Sequence, residues 1–204
     1  MPSTSAAPFA LPARSSIALG DAGRLRLVVV ADTHGKPHPA MAAQVRALAP
    51  DAILHAGDIG ELGVLDDLAA LAPVLAVRGN IDGHGATIPD ARTIAITDGD
   101  GALAVILLMH IAVNGPRLRA DAMRLARAES ASIVVCGHSH VPLLARERGV
   151  VVFNPGSIGP RRFALPIVFG VVDLDRARIT MHHVDVETGQ RWVPGVAAGG
   201  VLRG

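Results

Sequence analysis

The feature that most constrains this chain is a repeated alternation. An apolar run ends in a small polar cluster, and a helix-like stretch then leads to the next run. Arg24–Ala31 ends in Asp32-Thr33-His34-Gly35, and Ala52–Ala56 ends in Gly57-Asp58. Val74–Arg78 ends in Gly79-Asn80-Ile81-Asp82, Leu103–Met109 ends in His110, and Ile133–Cys136 ends in Gly137-His138-Ser139-His140. Short continuous runs rich in Val and Ile read as strands covered on both faces. Between them, Pro39–Leu48, Glu61–Leu71 and Pro116–Ala128 carry apolar residues at helical spacing. Strands alternating with helices predict an α/β fold with crossovers.

After His140 the texture changes. Leu143–Phe153 reads as a hairpin turning near Glu147-Arg148-Gly149, and Pro166–Asp173 and Arg178–Asp185 read as two strands joined at Asp175-Arg176. A mixed sheet accommodates both halves, and so do two sheets packed face to face with helices outside. Residues 1–23 and 188–204 lack periodicity and read as a flexible arm and tail around one domain spanning 24–187.

Composition narrows the function. The 19 basic and 18 acidic residues give a net charge of +1, without the basic excess of an electrostatic nucleic-acid binder. Cys136 is the single cysteine, which excludes an internal disulfide and a thiolate-rich metal site. Lying in an apolar run, it reads as a buried inert thiol. No run reaches the length of a membrane span. The first twenty residues make a poor signal peptide, so the expected setting is the cytoplasm.

In open α/β sheets the ligand crevice lies outside the C-terminal ends of the strands. Five segments therefore deliver Asp32, His34, Asp58, Asn80, His110, His138 and His140 to one sheet edge. All seven offer O or N donors, a set suited to Mn, Fe, Zn, Ni or Co. Asp32-x-His34 and His138-x-His140 place both side chains of each pair on one side of an extended chain. Gly57, Gly79 and Gly137 each precede a candidate ligand, where a missing Cβ permits tight turns. His182 and His183 are adjacent, point to opposite faces and read as structural, and His55 reads as a core histidine or a support for the site.

As an ordered set, these blocks resemble the calcineurin-like metallophosphoesterase family. Asn154-Pro155-Gly156-Ser157 followed by Arg161 resembles the signature of its small prokaryotic YfcE-like phosphodiesterase branch. The resemblance spans about 25–165. It implies a four-layer α/β/β/α sandwich and two divalent ions, with Mn the first expectation. Asp32, His34 and His140 would hold one ion, and Asn80, His110 and His138 the other, with Asp58 bridging. A metal-bridging hydroxide would then attack phosphorus in line, making Asp58, Asn80 and His110 catalytic. Asp82 is expected to orient a ligating imidazole, Arg161 or Arg162 to meet the substrate phosphate, and Asn154 to form a turn beside the site.

Two positions depart from the family pattern. A histidine that often follows the Asn is replaced by Ile81, which has no proton to give, although the YfcE-like branch also lacks it. His38 and His84 are nearby substitutes. Ile111 stands where a glycine is usual. The resemblance implies a small phosphoester substrate, most simply a diester. A phosphomonoesterase, or a dinucleotide or protein phosphatase, is the alternative on the same site. A non-catalytic scaffold, like the small subunit of the retromer coat, is the alternative of another class. Self-association into a homo-oligomer is also open.

Overall fold

The structure is a computed structural model that describes residues 11–83, 88–99 and 101–194. In chain order its elements are β1 (Ala13–Ala18), β2 (Arg24–Val30), α1 (Met41–Leu48), β3 (Ala52–His55), α2 (Gly63–Ala69), β4 (Val74–Ala76), β5 (Ala91–Asp98) and β6 (Gly101–Met109). They continue with β7 (Val113–Asn114), β8 (Arg117–Leu118), α3 (Ala120–Ala128), β9 (Ile133–Val135), β10 (Leu143–Glu147), β11 (Val150–Asn154), β12 (Val168–Asp175), β13 (Ile179–Asp185) and β14 (Arg191–Trp192).

The strands build two mixed six-stranded sheets, ordered β1-β5-β6-β9-β11-β10 and β14-β13-β12-β2-β3-β4. Apolar residues from both inner faces meet between them, among them Leu27, Val29 and Leu54 from one sheet and Ile106, Val135 and Phe153 from the other. The outer face of the β2 sheet packs on α1 and α2 through Val28, Ile53, Met41, Val45 and Leu68. The outer face of the β6 sheet packs on α3 through Leu107, Val134, Ala122 and Ala126. Both faces of each sheet are thus covered, which is why the central strands read as unbroken apolar runs rather than alternating ones. Of the two arrangements left open by the pattern, the molecule adopts face-to-face sheets with helices outside.

Parallel pairing sets the position of the polar clusters. β2, β3 and β4 run parallel in one sheet, and β6 and β9 run parallel in the other. Their C-terminal ends emerge on one rim of the sandwich.

Three expectations are corrected. The arm 1–23 contains β1, which pairs in parallel with β5 from Ala13↔Arg92 to Ala18↔Thr97. Its alternating half-buried pattern tucks Ile17 against the central core. The expected tail contributes β14, paired with β13 through His183↔Trp192, while 195–204 lies outside the described residues. The third helix starts at Ala120 rather than Pro116, because Val113–Asn114 and Arg117–Leu118 pair around a turn at Gly115-Pro116.

Sheet contact is tight at one glycine. A Cβ on Gly170 would sit 2.4 Å from Cε1 of Phe153, a fully buried ring of the opposite sheet. Gly170→Ala should therefore lower unfolding free energy by about 1–3 kcal/mol. Phe153→Leu in the same chain should recover part of that loss, read as a coupling in a urea-denaturation double-mutant cycle. Beside this contact, His183 donates from Nε2 to the Asn154 carbonyl at 2.7 Å. Burial holds the His183 pKa below its usual 6.5, although that bond opposes the shift. The unfolded chain then takes up the proton first, so the contribution is complete above pH 6.5 and is lost as pH falls below it. His183→Gln should flatten the acid side of the stability profile below about pH 6.5.

Candidate metal centre

Seven predicted donors lie at the rim where the two sheets meet, and backbone bonds hold their loops in register. The Asp32 N–H donates to the Gly57 carbonyl at 2.9 Å, that of His34 to Asp58 at 3.0 Å, and that of Gly137 to His110 at 3.0 Å. Across the seam, the N–H of His138 donates to both carboxylate oxygens of Asp32, at 3.2 and 3.0 Å.

The side chains converge in two groups. Asp32, His34 and His140 offer donor atoms within 4.8 Å of one another, and so do Asp32, Asp58 and His110. Asp58 faces both: its Oδ2 is 3.9 Å from His34 Nε2, and its Oδ1 is 3.2 Å from His110 Nε2. The ring of His138 meets that of His110 edge-on at 5.3 Å between centroids. Asn80 is exposed and lines a cleft of about 290 Å³ with His110, Ile111 and Arg119. The first group and the Asp58–His110 pair are therefore tightly assembled, while Asn80 and His138 stand at the open side of the second.

The donor chemistry fits divalent metal. His110 Nδ1 donates to the Ala56 carbonyl at 2.7 Å, which turns Nε2 toward Asp58. That Nε2 is buried, and its contact with Asp58 is not aligned as a hydrogen bond. His34 Nε2 and His140 Nε2 face each other at 3.3 Å, as two lone pairs aimed at a common cation would. Burial raises the Asp32 pKa to about 7, and the nearby Asp58 carboxylate adds to it, against the pull of His110. Asp58 is held well below the carboxylate range: burial works against ionisation, but His110 and the Ile81 N–H outweigh it. Burial also drives His140 down to about 4, with Arg162 and His34 adding to the effect. Burial likewise lowers His34 and His138, so neutral imidazoles at His34, His138 and His140 beside an ionised Asp58 are the protonation states that coordination needs.

The backbone is specialised to present these groups. Asp32, His34, Asp58, His138 and His140 all have φ between 49° and 69°, a left-handed conformation uncommon outside glycine. Close approach is equally demanding at Gly79, where a Cβ would fall 2.2 Å from both the backbone N and Oδ1 of Asp58. Ile111 is not among the residues with positive φ, so its β-branch is accommodated without left-handed strain.

Three expected roles change. Among the described residues Asp82 bonds no imidazole: its carboxylate accepts the N–H groups of Ile59, Gly60 and Gly79 at 3.1, 2.9 and 2.7 Å, clamping the two loops that carry Asp58 and Asn80. Arg161 is committed elsewhere, 2.9 Å from Glu187 Oε2 and donating to the Leu165 carbonyl at 3.2 Å. Arg162 is the arginine at the cluster, with Nη2 3.2 Å from His34 Nε2. His38 receives the Ala40 N–H on Nδ1 and turns Nε2 toward Glu187 at 3.8 Å, away from the cluster. His84 lies outside the described residues.

Other supports were legible only in part. Asn154 donates from Nδ2 to the Gly137 carbonyl at 2.7 Å and to Ser139 Oγ at 3.1 Å, holding the His138–His140 loop. Ser157 Oγ donates to the Asp32 carbonyl at 3.0 Å, and Thr33 Oγ1 to that of Ile59 at 2.8 Å, with His55 Nε2 at 3.1 Å from the same hydroxyl. The sequence signal at Thr33 and Ser157 is adjacency to a ligand or a turn. Burial pushes the Cys136 thiol up to about 12, as fits an inert core residue.

The sequence pattern of the calcineurin-like phosphoesterase superfamily domain matches residues 25–177. The chain belongs to this superfamily. A probable metallophosphoesterase of Methanothermobacter thermautotrophicus is 33% identical over 148 residues, covering 69% of this chain and 81% of that protein. The fold is shared with YfcE, a phosphoesterase of E. coli, at a TM-score of 0.58 and 19% identity, over 83% of this chain and 97% of that one. It is shared also with Vps29 of Entamoeba histolytica, solved with Zn²⁺, at a TM-score of 0.65 and 21% identity, over 82% and 96% of the two chains. Membership makes this calcineurin-like domain a metal-binding phosphoesterase fold, and among the described residues no helix is long and apolar enough to cross a membrane.

Because Asp82 fixes three backbone donors beneath the ligand loops, Asp82→Ala should weaken metal affinity by about 10–100-fold while the cooperative melt persists. Calorimetric titration of chelator-stripped protein with Mn²⁺ measures it.

Proposed function

We propose that the protein is a metal-dependent phosphodiesterase that binds two divalent ions and cleaves a P–O bond of a small phosphoester. The observation that carries this reading is the pair of converging donor groups that share Asp32, with Asp58 turning one carboxylate oxygen toward His34 and the other toward His110. Divalent ions in such a site supply Lewis acidity and acidify a water toward neutral pKa.

The chain's own contributions follow from its geometry. Asp32, His34 and His140 would hold one ion, and Asn80, His110 and His138 the other. The Ala56 carbonyl fixes the His110 tautomer, so that Nε2 faces the reaction side. The Ile81 N–H steadies Asp58 at 3.2 Å, while its 51%-exposed side chain lies beyond the cluster without a transferable proton. General-acid help is worth typically about 10²–10⁴ in rate, so this absence favours esters with good leaving groups over alkyl monoesters. Manganese suits the O/N donors, as do Fe, Ni, Co and Zn.

The scaffold alternative is favoured by the likeness to Vps29 in fold. The full set of seven donor residues argues against it, since a partner-binding surface has no need of them. The test is hydrolysis of bis(p-nitrophenyl) phosphate by chelator-stripped protein titrated with Mn²⁺. The expected result is turnover that requires metal, exceeds that on p-nitrophenyl phosphate, and is lost in Asp58→Asn. Preference for the monoester would move the reading to a phosphomonoesterase. Bound metal with no turnover on either ester would favour the scaffold.

A further inference from the structure

The loop after Ser157 carries an arrangement that metal binding does not require. Leu165 N–H donates to the Arg162 carbonyl at 3.2 Å, closing a turn with Phe163 and Ala164 at its centre. Phe163 has φ of 53°, at the first central position of a turn where glycine is the usual occupant. A bulky residue there is a genuine backbone outlier, and such outliers cluster at ligand sites. Its side chain is 93% exposed.

A single exposed hydrophobic residue means little alone, but three further observations give this one a context. The chain has four Phe, one Trp and no Tyr, and Phe153 and Phe169 are fully buried in the core, so an aromatic ring held in solvent stands apart from the molecule's own usage. The turn is braced from behind, since Arg161 bonds the Leu165 carbonyl and Glu187 together. And the neighbouring residue, Arg162, reaches the ligand cluster, with Nη2 3.2 Å from His34 Nε2. Arg162, Ser157 and Gly159 line one small crevice with His140. Consecutive Cα atoms are about 3.8 Å apart, so the exposed Phe163 is carried on the same turn as the arginine that reaches the His34–His140 side of the centre.

We propose that Arg162 and Phe163 form a recognition clip for a nucleoside phosphoester, Arg162 meeting a phosphoryl oxygen and Phe163 stacking on the base. The inference rests on the phosphoesterase reading for the position of the phosphate. A planar guanidinium suits phosphate oxygens, and an exposed ring with a fixed backbone stacks on a base without regard to its identity. The near-neutral charge of the chain fits a small nucleotide rather than a polymer. Its 93% exposure leaves the ring of Phe163 available for stacking.

The test is calorimetric binding to Mn²⁺-loaded protein of two ligands that lack a cleavable ester: the methylenephosphonate isostere of thymidine 5′-phosphate, and ethylphosphonate. The nucleoside ligand should bind the wild type about 5- to 100-fold more tightly. That ratio should fall toward one in Phe163→Ala and return in Phe163→Trp, while Arg162→Ala should weaken both ligands. A ratio near one in the wild type, or one unchanged in Phe163→Ala, would overturn the clip. The turnover assay on bis(p-nitrophenyl) phosphate separates the two readings. Base preference without turnover leaves the clip standing and removes the hydrolase, and turnover without base preference does the reverse.

Discussion

Asp32 is the joint on which the site depends. Its carboxylate takes the His138 N–H from the opposite sheet, its own N–H bonds Gly57, and its carbonyl accepts Ser157 Oγ. One fully buried residue thereby links the loops after β2, β3, β9 and β11. Its carboxyl is also common to both donor groups. Since burial disfavours its charge, a cation at the cluster satisfies Asp32 electrostatically while the backbone bonds satisfy it sterically. Structural and chemical demands thus meet in the same side chain, and the apolar contact between the sheets keeps the two halves of the joint aligned.

Much of this was legible in the amino-acid order because the central strands are covered on both sides. Runs such as Leu27–Ala31 and Ile133–Cys136 announce themselves by continuity, and the parallel order of β2, β3 and β4 puts their trailing residues on one rim. Strands at or next to the sheet edges were harder. β1 and β5 alternate small, polar and apolar residues, and β14 has two residues. Their pairing depends on partners far away in sequence. Ligand types could be read from chemistry, but the choice between Arg161 and Arg162 could not: it turns on Glu187, which comes from the far side of β13 and captures one arginine. Asp82 likewise looked like a partner for a ring, yet the nearest unsatisfied donors were backbone N–H groups.

The departures from the family pattern lie at the open side. Ile81 contributes its main chain, and its side chain faces solvent. Ile111 lines the cleft beside Asn80 and His110. Arg119 lines the same cleft, and Arg162 reaches the His34–His140 side, so a guanidinium flanks each half of the centre.

Because β1 lies parallel to β5 on the outer edge of its sheet, it leaves the ribosome well before the strand on which it docks, and has no place there until β5 has been made. Until then it is an unpaired segment with half its residues ready for burial. Parallel pairing across such a separation closes slowly, because chain entropy must be lost before contacts reward it. Once docked, β1 covers the backbone of β5 that would otherwise template association with another chain. The order of synthesis and the order of assembly are thus opposed at this edge, and the N-terminal strand acts as the last stave of its sheet.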